Sequence, residues 1–108
     1  MIFRPPHLLV ALCLIMPGAA AAQMSPSEQR GQTFVRANCG KCHAVDKVSA
    51  SPLKIAPPFR DLHKRYPIEN LAEAFAEGIT TGHQNMPEFR LAPDQIKDVI
   101  AYFKTLER

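Results

Sequence analysis

The sequence predicts an all-α domain, and three observations lead to that prediction. Apolar residues recur with the helical period in three segments, and no segment alternates between apolar and polar residues as a half-buried strand does. Residues that favour a helix start stand at the beginning of these segments. Proline occurs 10 times and interrupts the stretches between them. The expected architecture is therefore three main helices joined by irregular loops.

The first helix is predicted over residues 25–39. Ser25 suits the N-cap position, Pro26 suits the first helical position, and Glu28 follows Ser25 at the spacing of a capping box. Gly31 inside this helix costs about 1 kcal/mol relative to alanine. Either the helix simply tolerates this glycine, or another helix approaches so closely that a side chain would not fit.

The second helix is predicted over residues 67–79 and the last over residues 93–106. Apolar residues follow the helical period in both, and Gly78 marks the end of the second. Between the first and second helices, three prolines interrupt residues 44–62. We expect that stretch to be irregular.

Residues 1–22 have the plan of a secretory signal peptide, with Arg4, an apolar run over residues 8–16 and then small residues. The apolar run is far shorter than the ~20 residues that span a bilayer. The motif Ala20-x-Ala22 fits a cleavage site, so the expected mature domain is residues 23–108. We expect a periplasmic protein without stable membrane insertion after cleavage.

The mature chain is only mildly charged, and cleavage leaves it two cysteines. Without Arg4 it has 12 basic against 10 acidic residues, a net charge of +2, and no long basic run. This balance argues against a nucleic-acid-binding protein. Cys13 leaves with the predicted signal peptide, so Cys39 and Cys42 remain.

Cys39, Cys42 and His43 form a C-x-x-C-H motif, whose spacing suits four chemistries: a zinc site, a redox dithiol, a disulfide or covalent haem attachment. A zinc site needs about four ligands, and a redox dithiol normally follows a strand in a βαβ unit. A simple disulfide leaves the histidine unexplained. Covalent attachment of one haem explains all three residues, with two thioether bonds and His43 as the proximal iron ligand.

The second axial ligand of the iron has four candidates, which are Met24, His63, His83 and Met86. Met24 stands at the expected mature terminus and His63 in a charged segment, so both are predicted to be exposed. Met86 occupies a loop between the second and last helices, with Pro87 after it. Methionine is a common haem ligand, so Met86 is favoured and His83 is the rival.

The segments GQTFVRANCGKCH, GHQNMPEF and IKDVIAYFKTL, in this order, resemble a class I cytochrome c of the small bacterial periplasmic type. The resemblance covers residues 25–106. It implies the cytochrome c fold, with helices and loops wrapped around one covalent haem. It also implies a contact of Gly31 and Phe34 with Tyr102, which supports the close approach of two helices.

The resemblance further implies that the carbonyl of Pro57 accepts the N–H of His43, which would fix the imidazole ring. Two positions depart from the family pattern. Ala56 stands where the family often has glycine, and Ala92 stands where it often has a serine or threonine cap. The second departure should weaken the start of the last helix by ~1 kcal/mol.

Iron with both axial positions filled exchanges electrons but admits no substrate. The expected function is a one-electron carrier between periplasmic or membrane redox partners, not an enzyme, and we expect a monomer. The alternatives are a bound haem subunit of a dehydrogenase or oxidase complex and, less favoured, a gas-binding haem with an open sixth site. Lys41, Lys47, Lys54 and Arg90 are predicted to form a weakly positive rim that faces acidic partners.

Overall fold

The computed structural model describes residues 1–3, 11–15, 23–79 and 86–108. It contains helix α1 (Pro26–Cys39), two 3₁₀ helices (Phe59–Lys64 and Ile68–Asn70), helix α2 (Leu71–Glu77) and helix α3 (Pro93–Thr105). The all-α prediction is confirmed. The predicted cleavage site lies outside the described residues, and none of the helices described is both long and apolar enough to cross a membrane.

The three predicted helices form close to their expected bounds. Ser25 caps α1, since its hydroxyl accepts the N–H of Glu28 at 3.1 Å. At α3 the N-cap residue is Ala92, which has no side-chain acceptor, but the side chain of Gln95 accepts the Ala92 N–H at 3.0 Å. One half of a capping box therefore remains at the start of α3.

The structure differs from the sequence prediction in the region before α2. The predicted second helix begins as a 3₁₀ turn and becomes α-helical only at Leu71. Another 3₁₀ helix, Phe59–Lys64, begins within the stretch that was predicted to be irregular. It follows Pro58, whose ring sets the backbone without providing a side-chain cap.

Helices α1 and α3 cross at Gly31, where their backbones touch. A Cβ atom at Gly31 would lie 2.0 Å from the carbonyl oxygen of Asp98 and 2.9 Å from Cβ of Tyr102. The glycine is thus required by the close approach, which was one of its two interpretations. Beside the crossing, the Asp98 carboxylate accepts from Arg30 at 2.9 and 3.1 Å and from Ser27 at 2.7 Å.

The hydrophobic core lies between this helix pair and the two 3₁₀ helices. Val35, Ile68 and Val99 are its most deeply buried large side chains. Phe59 and Phe103 pack with ring centroids 4.8 Å apart and planes tilted by 56°. Together they connect the irregular part of the chain to α3.

Candidate functional site

A cavity of about 440 Å³ opens beside the hydrophobic core. Cys39, Cys42, His43 and Met86 all line it, although Met86 is 43 positions after the histidine in the chain. Most of the remaining lining is apolar, and it comes from α1, the first 3₁₀ helix, α2 and α3 and from the loops between them. The structure therefore brings the motif and the favoured second ligand to one site.

The C-x-x-C-H motif forms a tight turn at the end of α1. The carbonyl oxygen of Cys39 accepts from the N–H of Cys42 at 3.2 Å and from the N–H of His43 at 3.0 Å. These bonds satisfy a carbonyl that would otherwise lack a partner at the helix end. They also hold the two thiols and the imidazole in the cavity lining.

The imidazole of His43 is fixed on one side. Its Nδ1 lies 2.8 Å from the carbonyl oxygen of Pro57. A carbonyl only accepts, so Nδ1 carries the proton and Nε2 keeps a lone pair for a metal ion. The ring also stacks on Phe59, with centroids 4.5 Å apart and planes inclined by 29°.

The chain between the motif and Pro57 folds into a loop with internal hydrogen bonds. Leu53 N–H donates to the carbonyl oxygen of Cys42 at 3.1 Å, and Ala44 N–H donates to the hydroxyl of Ser51 at 3.0 Å. The hydroxyl of Tyr102 on α3 donates to the carbonyl of Val45. The loop that carries Pro57 is therefore tied both to the motif and to the last helix.

Asp46 organises the tip of this loop. Its carboxylate accepts from the N–H of Val48 at 2.9 Å and from the N–H and hydroxyl of Ser49 at 2.6 Å. These hydrogen bonds, above all those of Ser49, lower the pKa of Asp46 to about 2. Arg60 donates to the Ser49 carbonyl at 2.6 Å, which closes the turn from the other side.

The structure distinguishes between the candidates for the second iron ligand. Met86 is half-buried and lines the cavity, whereas His63 is exposed on the first 3₁₀ helix. Met24 was predicted to be exposed but is partly buried against the core. That prediction was wrong because Met24, just before α1 begins, packs against the core. His83, the rival ligand, lies outside the described residues.

The thiol of Cys39 lies in a poorly solvated environment. Burial raises its pKa to about 11. A redox dithiol needs a thiol with a lowered pKa, because the thiolate is the reactive form. The surroundings of Cys39 therefore do not suit thioredoxin-like chemistry at this motif.

Several cations lie around the cavity. Lys41 and Arg65 line it and are exposed, and Lys47 and Lys54 are exposed on the adjoining loop. Sequence reasoning did not single out Arg65, since it occurs in a charged segment that resembles an ordinary surface. Arg90 differs from the lysines because its guanidinium donates to a backbone carbonyl on α2.

The cavity suits the haem expected from the sequence. Its lining is mainly apolar, as a porphyrin requires, and both thiols belong to the same lining as the imidazole. Nε2 of His43 is the nitrogen left to bind iron, since Nδ1 is engaged by Pro57. The residues present thus fit a covalently attached haem.

Comparisons with known proteins identify the family of the chain. The family model described as Cytochrome c matches residues 28–107. Cytochrome c6 from Nostoc sp. (strain PCC 7120 / SAG 25.82 / UTEX 2576) is 33% identical over 97 residues, which are 88% of this chain and 85% of that protein. The search of solved structures gave no significant match. The chain therefore belongs to the cytochrome c family, with the all-α cytochrome c fold and a covalent c-type haem that carries electrons.

Proposed function

We propose that the protein is a one-electron carrier whose haem is attached through Cys39 and Cys42 and whose iron is bound by His43 and Met86. The observation that supports this most is the single cavity that all four side chains line. The engaged Nδ1 of His43 adds to it, because only Nε2 is then left as a ligand. The haem supplies the electron exchange, and the chain supplies the ligands and the enclosure.

Each residue has a distinct role in this proposal. The two thiols attach the porphyrin, so the cofactor cannot dissociate. Pro57 fixes the orientation of the His43 ring through its carbonyl oxygen. Met86 contributes a thioether, a soft ligand that favours ferrous iron and raises the reduction potential. If His43 and Met86 both bind the iron, no site for a substrate would remain there, and the protein would act as an electron carrier rather than as an enzyme.

The cellular setting is part of the same proposal. Residues 1–22 would direct export and be removed, which leaves a monomeric carrier in the periplasm. Its partners would be redox proteins, and the exposed Lys41, Lys47 and Lys54 favour partners with acidic docking faces. The name of the Nostoc relative, cytochrome c6, is consistent with a carrier of this kind.

Haem attachment is tested with the double variant Cys39→Ala/Cys42→Ala, produced together with haem-maturation machinery. We expect acidified organic solvent to extract its haem completely, whereas the wild-type haem stays with the protein. The wild type, produced and extracted in the same way, is the control and should retain its haem. Covalent haem in the double variant would exclude the proposed attachment.

Visible spectra of the purified protein test the ligands. Narrow α and β bands in the reduced form and a weak long-wavelength band in the oxidised form are expected of His/Met iron. An immediate spectral shift of the ferrous protein with carbon monoxide would indicate an open sixth site instead. Co-purification with a larger redox enzyme at equal stoichiometry would indicate a bound subunit.

A further inference from the structure

The loop that carries Met86 is closed at its base by two short segments, residues 75–79 and 88–91, which we call the neck. Three hydrogen bonds join the two segments. They run from Ile79 N–H to the Phe89 carbonyl at 2.9 Å, from Leu91 N–H to the Phe75 carbonyl at 3.0 Å, and from the Arg90 guanidinium to the Glu77 carbonyl at 2.9 Å. Met86 is two positions before the second segment of the neck.

Arg90 provides a hydrogen-bond donor and a positive charge at the C-terminal end of α2. The last carbonyls of any helix have no partner within the helix, and that end carries a partial negative charge. Helix α2 has no basic residue in its last turn. The guanidinium of Arg90 provides both a donor and a positive charge there, although it belongs to the segment after the loop.

The neck also leaves little freedom at Gly78. This residue has φ of 100°, a conformation that favours glycine. A Cβ atom there would lie 2.3 Å from a carboxylate oxygen of Glu88. The Glu88 side chain of one segment therefore lies against Gly78 of the other, in addition to the hydrogen bonds.

We propose that Arg90 is a positioning residue for Met86, in that it closes the neck and so holds the thioether in the cavity. This inference rests on the proposed function, in which Met86 binds iron. Local opening of a loop is governed by the few contacts at its base. The Arg90 bond is the one side-chain hydrogen bond described between the two segments of the neck. Its loss should let the loop open more often.

This role differs from that of a docking cation. A docking cation acts through its charge alone and can be replaced by lysine. A guanidinium that donates to a carbonyl uses a planar group that lysine does not reproduce. The variants Arg90→Gln and Arg90→Lys therefore separate the two roles, and Lys97→Gln, on the exposed face of α3, serves as the control for loss of one positive charge.

The test uses the ferric holoprotein and imidazole as the probe that replaces the sulfur ligand. We expect Arg90→Gln to raise the rate of replacement about fivefold, as the loss of one exposed charge-assisted hydrogen bond implies, and Arg90→Lys to raise it about twofold. Lys97→Gln should match the wild type. Amide hydrogen exchange at Ile79 and Leu91 should accelerate in Arg90→Gln, which reports on the neck independently of the haem.

Two results would overturn the inference while leaving the ligand assignment intact. One is a wild-type replacement rate in Arg90→Gln, and the other is an equal acceleration in Lys97→Gln. The variant Met86→Ala tests the assignment itself. If it keeps the long-wavelength band of the wild type, Met86 does not bind iron and the inference fails together with the proposed function.

Discussion

Gly31 and Asp98 are in backbone contact, so that a methyl group on the glycine would lie 2.0 Å from the Asp98 carbonyl oxygen. The atom it would meet belongs to the backbone of α3, which cannot swing aside as a flexible side chain does. Any side chain at position 31 must therefore separate the two helices that form one side of the core.

We predict that Gly31→Ala destabilises the holoprotein by about 1–3 kcal/mol, as overpacking of a close contact does. This predicted loss of stability is opposite to the effect of helix propensity alone, because alanine favours a helix by about 1 kcal/mol over glycine. Guanidinium unfolding of the holoprotein measures the change. Ala37→Gly on the exposed side of α1 is the control and should destabilise by about 1 kcal/mol from propensity alone. A Gly31→Ala variant more stable than the wild type would contradict the close approach.

Asp98 should make the helix crossing sensitive to acid. Hydrogen bonds from Arg30 and then Ser27 lower the pKa of Asp98. A carboxyl whose pKa is lower in the folded state contributes stability above its unfolded pKa of ~3.9 and loses it as pH falls through the folded pKa. We expect Asp98→Asn to be less stable than the wild type at neutral pH, with the difference shrinking below about pH 4.

The measurement is the guanidinium midpoint of both proteins between pH 7 and pH 3. Asp94→Asn, at the exposed start of α3, is a control for the removal of a carboxylate away from Arg30 and Ser27. If the difference in guanidinium midpoint between the wild type and Asp98→Asn stays constant with pH, the ionised carboxylate does not stabilise the helix crossing.

Replacing Met86 should change the redox properties without releasing the haem. We expect Met86→Ala to keep covalent haem, bind carbon monoxide in the ferrous state and have a reduction potential lower by on the order of 100 mV, because the axial ligand sets the potential over a range of ~0.8 V. Potentiometric titration and carbon monoxide difference spectra measure these effects. If neither changes, Met86 is a packing residue and His83 becomes the candidate ligand.

The lysines near the cavity should speed the encounter with an acidic redox partner. We predict that the second-order rate of electron transfer with the physiological partner falls as ionic strength rises, since the Debye length shrinks from ~10 Å at 0.1 M to ~3 Å at 1 M. Charge reversal at Lys41 and Lys47 should flatten this dependence. A rate that does not depend on salt indicates an apolar contact, and one that rises with salt indicates a positive partner face.

The motif and the helices could be predicted from the sequence because they depend on local rules. Capping at Ser25 and the apolar stripe of α3 each act within a few residues. The partial burial of Met24 could not be predicted in this way, because it depends on where the chain before α1 meets the core. Arg90 was interpreted as a surface cation for the same reason, since its partner, the carbonyl of Glu77, is brought near only by the closed loop.

The same residues form the core and the lining of the cavity, and this has a consequence for how the protein is made. Val35, Phe59, Val99 and Phe103 belong to the core cluster and also face the cavity, so the cofactor completes the packing of the residues that hold the helices together. A chain that has not yet received its porphyrin lacks those contacts and should be loosely packed, which circular dichroism of Cys39→Ala/Cys42→Ala prepared without haem would show as reduced helix content. If the haem-free chain is loose in this way, haem would be joined to an open polypeptide and compaction would follow the new bonds.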